Sequence, residues 1–145
     1  YKVTGVQTCA LPILGVISAA PIALGSSATT WDIRTTATAL FGTTPTSVNG
    51  STRSLWPGDG NSNGTVKYTG ASNDRDPILS AIGGSVPTSV VTGIYSPLDI
   101  NLDGQLRYTG IGNDRDIILQ SVGGSVPTAV RVGNYRENDI DNQQP

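Results

Sequence analysis

The chain has no histidine and no methionine, one cysteine, one phenylalanine and, among eleven acidic residues, a single glutamate, Glu137. Without histidine there is no Ser-His-Asp triad, no imidazole base and no His-ligated metal. One cysteine cannot build a disulfide framework. Charged residues make up only 14% and the net charge is -2, so nothing offers the basic stripe that nucleic acid or an anionic bilayer would need. The longest apolar stretch, Ala10 to Leu24, is broken by Pro12, Gly15 and Pro21 and is too short to span a membrane. We therefore expect no nucleic-acid partner, no membrane insertion and no inherited hydrolase chemistry. What remains is abundant: 18 glycines, 9 prolines and much Thr, Ser and Asn, a composition of short strands and many turns. Aspartate supplies ten of the eleven acids, and Asp and Asn are the short-armed residues of turns and calcium loops.

The chain divides into five stretches. Residues 1–13 contain the run Val3 to Ile13, which resembles a translated sequencing adapter and carries the lone Cys9. Residues 14–55 are rich in Thr, Ala and Ser, with aliphatic pieces around Val16, Ile22, Ile33 and Leu40; β-branched residues and glycine punctuation predict short strands completing a β-rich domain truncated upstream. Trp31 and Phe41 are expected as core anchors of that domain. Residues 56–96 and 97–134 are two copies of one unit, because aligning Pro57–Val90 with Pro97–Val130 gives 20 identities in 34 positions. Residues 135–145 begin a third copy, with Tyr135 and Asp139-Ile140 in step, and stop before a loop can form.

Each copy opens on a pattern that carries chemistry. In Asp59-x-Asn61-x-Asn63-Gly64-x-Val66 and Asp99-x-Asn101-x-Asp103-Gly104-x-Leu106, oxygen-bearing side chains occupy positions 1, 3 and 5 and glycine position 6. That is the first half of an EF-hand-type loop, where alternate side chains turn inward on one hard cation and residue 7, here Thr65 or Gln105, lends its main-chain carbonyl. Val66 and Leu106 are expected to plug the core. Positions 9 and 12 carry Lys67 and Gly70, or Arg107 and Gly110, none of them a carboxylate. The closing acid is expected six residues later: Asn73 to Asp76 and Asn113 to Asp116 repeat the three-residue step from a helix N-cap to a returning carboxylate. Ile78, Leu79 and Ile82, or Ile118, Leu119 and Val122, then give an apolar face of about two helical turns, ended by a Gly-Gly pair. Asp74 and Asp114 are a second line of ligands, or serve the helix dipole or pair with Arg75 and Arg115. With three carboxylates against two, the second loop is expected to bind calcium more tightly than the first.

The repeats resemble dockerin type I-like calcium repeats. Together with Leu14-Gly-Val-Ile-Ser-Ala, Leu55-Trp-Pro-Gly-Asp-Gly-Asn and Lys67-Tyr-Thr-Gly-x-x-Asn-Asp-Arg-Asp-x-Ile-Leu, they resemble the C-terminal part of large secreted bacterial surface proteins of the type IX secretion kind. The resemblance implies a mixed α+β architecture, with an N-terminal β-strand segment followed by two dockerin-like EF-hand-type loop-helix repeats. It also implies an extracellular or cell-surface location and two structural calcium ions without catalysis. The partners expected are other domains of the same protein or neighbouring copies, with a filament built on the incomplete third copy as a variant. The alternative is a dockerin-like docking module presenting its two helices to a protein partner. Buried helix faces would favour the first reading, exposed ones the second. A paired-carboxylate hydrolase among Asp74, Asp76, Asp114 and Asp116 is disfavoured by their duplicated placement.

Overall fold

The computed structural model describes residues 15–23 and 25–132; the adapter-like run, Leu14 and the start of the third copy lie outside the described residues. A hairpin comes first, β1 (Ser47–Asn49) against β2 (Thr52–Ser54), with Asn49 paired to Thr52. Its two-residue loop puts Gly50 at φ +61, the left-handed value that a tight hairpin requires of its first loop residue. Upstream of the hairpin, the pairing among the described residues is limited to the isolated bridges Ser18–Leu40 and Thr35–Thr52. The strands expected around Val16, Ile22, Ile33 and Leu40 are not formed, and Trp31 and Phe41 are exposed and anchor no core. Alternation between apolar and polar residues is too imperfect here to give any strand a dry face.

In the first copy come β3 (Thr65–Lys67), helix α1 (Arg75–Ala81) and β4 (Val90–Thr92); in the second, β5 (Gln105–Arg107), helix α2 (Asp114–Ser121) and β6 (Val130–Val132). The sheets exchange partners between copies. β3 pairs antiparallel with β6, setting Val66 opposite Arg131, and β4 pairs antiparallel with β5, setting Val91 opposite Leu106. The expected architecture of two loop-helix repeats is therefore corrected: among the described residues strand, at 19%, outweighs helix, at 13%, and the copies interlock through small antiparallel sheets. The physical reason lies in the β-branched triplets beyond each Gly-Gly pair. Val90-Val-Thr and Val130-Arg-Val favour extended backbone, and each has its neighbour copy's loop-closing strand as a partner.

Each helix is short because its end is fixed chemically. Gly83 and Gly84, at φ +109 and +74, turn the chain away, with Gly84 N–H donating to Leu79 O at 2.8 Å; Gly124 repeats this to Leu119 O at 2.8 Å. The core is shared between the copies. Val66, Ile78, Ile100, Ile118 and Val122 form its centre, with Trp56, Tyr68, Leu98 and Tyr108 packed against it. Thr69 Oγ1 donates to Pro127 O at 3.0 Å and Thr109 Oγ1 to Pro87 O at 2.9 Å, so two near-equivalent bonds join each copy's Tyr-Thr-Gly element to the other's tail. Trp56 Nε1 donates to Thr44 O at 3.0 Å and ties this body to the segment before it.

Candidate functional site

Each loop is built by side-chain oxygens that accept main-chain N–H groups farther along the same loop. Asp59 Oδ1 accepts from Asn63 N–H at 3.0 Å and Oδ2 from Gly64 N–H at 2.9 Å; Asn61 Oδ1 accepts from Asn63 N–H at 3.1 Å, and Asn63 Oδ1 from Thr65 N–H at 2.9 Å. The second loop repeats the set: Asp99 accepts from Asp103 N–H at 3.1 Å and Gly104 N–H at 2.8 Å, Asn101 from Asp103 N–H at 3.0 Å, and Asp103 from Gln105 N–H at 2.9 Å. Positions 1, 3 and 5 thus all turn toward the inside of the bend, which Gly64 and Gly104 make possible at φ +79 in both copies. Ser62 and Leu102, at φ +56 and +61, carry the same left-handed backbone at a residue type that does not favour it, a local strain held by the surrounding bonds. Thr65 and Gln105 open β3 and β5, and Val66 and Leu106 are buried behind the loops.

Asp74 and Asp114 are the residues whose role was least legible. Both are wholly buried. Asp74 accepts from Lys67 N–H at 2.7 Å and Asn61 N–H at 3.3 Å, and Asp114 from Arg107 N–H at 2.9 Å, Ile100 N–H at 2.8 Å and Asn101 N–H at 3.3 Å. Each carboxylate rivets the start of its helix to the loop and to the strand after it. Burial pushes the Asp74 carboxyl from its ordinary 3.8 up to about 6, and raises Asp114 in the same way, against main-chain N–H bonds that favour the charge. The arginines between the acids go elsewhere. Arg75 and Arg115 lie over the Tyr68 and Tyr108 rings at 5.1 and 5.2 Å and reach Asp76 and Asp116 at 3.6 and 3.3 Å. The signal for this clamp was in the repeat itself, since Asn-Asp-Arg-Asp is unchanged in both copies.

Asp76 and Asp116 are held at the helix starts. Asn73 Oδ1 accepts from Asp76 N–H at 3.0 Å while Asn73 Nδ2 donates back to Asp76 Oδ2 at 2.7 Å, and Asn113 and Asp116 do the same at 3.0 and 2.8 Å. In the first copy Asp76 is exposed and lines an open cleft together with Asn61, Asn63, Ser72 and Asn73. The donors fit a hard cation in kind, being all oxygen. Asn63 Oδ1 also accepts the Thr65 hydroxyl. Among the described residues no three Asp, Glu, His or Cys side chains group as a metal centre by themselves. No protein-family model matches the chain, and no curated protein or solved structure is detectably similar to it. Among the described residues no helix is long and apolar enough to cross a membrane.

Proposed function

We propose that the doubled unit is a calcium-stapled structural module of an extracellular surface protein. One observation carries the reading: in both copies the oxygens of positions 1, 3 and 5 converge on the inside of one bend by the same set of hydrogen bonds. Asx-turns account for individual bonds of this kind; the reading adds to them Asp76 and Asp116, the acids in the first turn of the helix that follows each loop. In this reading Asp59, Asn61, Asn63, the Thr65 carbonyl and Asp76 hold one ion, and Asp99, Asn101, Asp103, the Gln105 carbonyl and Asp116 the other. Calcium supplies charge neutralisation and cross-links loop to helix start; the chain's own residues supply the cage. Ile78 and Ile118 are buried between the copies, which favours a structural role over presentation of the helices to a docking partner.

The test is a melting curve of the full chain in calcium and in chelator. Calcium at about 100 times its dissociation constant adds roughly 2.7 kcal/mol per occupied site, seen as a higher Tm. The Asp59→Ala/Asp99→Ala double variant is expected to lose that calcium increment. A Tm indifferent to calcium, or an increment that survives the double variant, overturns the proposal.

A further inference from the structure

The chain contains four Asx-Gly steps, Asn49-Gly50, Asp59-Gly60, Asn63-Gly64 and Asp103-Gly104, and they differ in whether the glycine nitrogen is engaged. In the loops it is. Gly60 N–H donates to Gly58 O at 2.9 Å, Gly64 N–H to Asp59 Oδ2 at 2.9 Å and Gly104 N–H to Asp99 Oδ2 at 2.8 Å. The Asn63 amide is held as well, through Oδ1 by Thr65 and through Nδ2 by Ser72 O. At the hairpin, Asn49 is exposed, and among the described residues no hydrogen bond engages its side chain or the Gly50 N–H. A β-carbon at Gly50 would meet nothing within 4 Å, so the turn is open to water.

We propose that Asn49 is a self-modification site of this protein, and that the hydrogen bonds of the first loop protect Asn63 from the same reaction. The Gly50 main-chain nitrogen, losing its proton to solvent base, attacks the Asn49 side-chain carbonyl carbon. The C–N bond to the amide breaks, ammonia leaves with a proton from water, and a five-membered succinimide forms. Water then opens the ring at either carbonyl, giving aspartate or isoaspartate at position 49, with no redox partner needed. At position 63 the attacking nitrogen has to give up the Asp59 carboxylate and the amide has to turn out of the loop, so the reaction waits on local opening.

The experiment is incubation of the full chain in mildly alkaline buffer, followed by proteolysis and mass spectrometry, with isoaspartate counted separately. In the native chain Asn49 is expected to convert roughly tenfold faster than Asn63 or more, a ratio that falls toward one in denaturant, where local opening is complete. Asn49→Gln removes the fast conversion and leaves the slow one. Equal native rates at the two asparagines, an Asn49 that resists conversion, or a preference that persists unchanged in denaturant overturns the proposal.

Discussion

The two copies keep their hydrogen-bonding residues nearly identical and let their apolar residues diverge where the copies meet. Gly58 and Gly60 in the first copy stand where the second has Leu98 and Ile100. A β-carbon on Gly60 would lie 3.1 Å from Leu98 Cδ2 and 3.6 Å from Ile100 Cδ1, and one on Gly58 3.0 Å from Val66 Cγ1. One volume where the copies meet is filled from one side only, so a perfect duplicate would overpack it. The same one-sidedness appears at the β3–β6 end. Arg131 lies 4.5 Å over the Trp56 ring and donates through Nε to Ser121 O at 2.8 Å, whereas the equivalent positions in the other copy are Val91, Ser96 and Ala81. Duplication preserves the main-chain accounting of each loop, and asymmetry settles the shared interior.

The comparison breaks most forcefully at the centre. Ile78→Ala and Ile118→Ala, at fully buried equivalent positions, are each expected to cost about 2–5 kcal/mol in urea unfolding, and to lower the stability of both copies as one cooperative transition. Two separate transitions would mean the copies fold independently. Next come the rivets. Asp74→Ala leaves the Lys67 and Asn61 N–H groups without their acceptor and is expected to cost about 3 kcal/mol, with Asp114→Ala alike. Asp74→Asn keeps an acceptor and costs less.

Acidity sharpens the same pair. The folded Asp74 carboxyl, at about 6, lies above its ordinary 3.8, so its favourable contribution is complete below 3.8 and is lost as pH rises through about 6. Measured in chelator, lowering the pH from neutral through that window is expected to stabilise the wild type through this group, an effect that Asp74→Asn removes. A pH profile unchanged by the substitution contradicts that assignment. A third, smaller contrast is charge: Asn63→Asp gives the first loop the acid that the second has at Asp103, and is expected to tighten calcium binding there by roughly tenfold in calorimetry. The smallest effect is the pair of cross-copy hydroxyl bonds, where Thr69→Val and Thr109→Val should each cost about 0.5–1.5 kcal/mol and match one another.

The elements most legible in the sequence were those fixed by local chemistry. Asn113 and the Gly-Gly pairs announce where a helix starts and stops, and the helices lie between them. Asp, Asn and Gly spacing announced the bend of each loop. Pairing between copies was not legible, because three-residue strands such as Thr65–Lys67 carry too little alternation to be noticed, and their partners lie some 60 residues away in one case and nearby in the other. The buried role of Asp74 and Asp114 was missed because an acid between two helix-cap residues reads as solvated, and only the tertiary fold reveals which N–H groups it has to satisfy. Trp31 and Phe41 misled in the opposite direction, since aromatic character implies an interior only when neighbouring segments supply one.

The exchange of strands has a mechanical consequence. Thr65 pairs with Val132, and Trp56 touches Arg131, so the stretch leading into the doubled unit and the last stretch of β6 lie side by side. A pull applied through both stretches would peel the β3–β6 ladder bond by bond, while β4 and β5, deeper along the chain, stay shielded until that first ladder has parted.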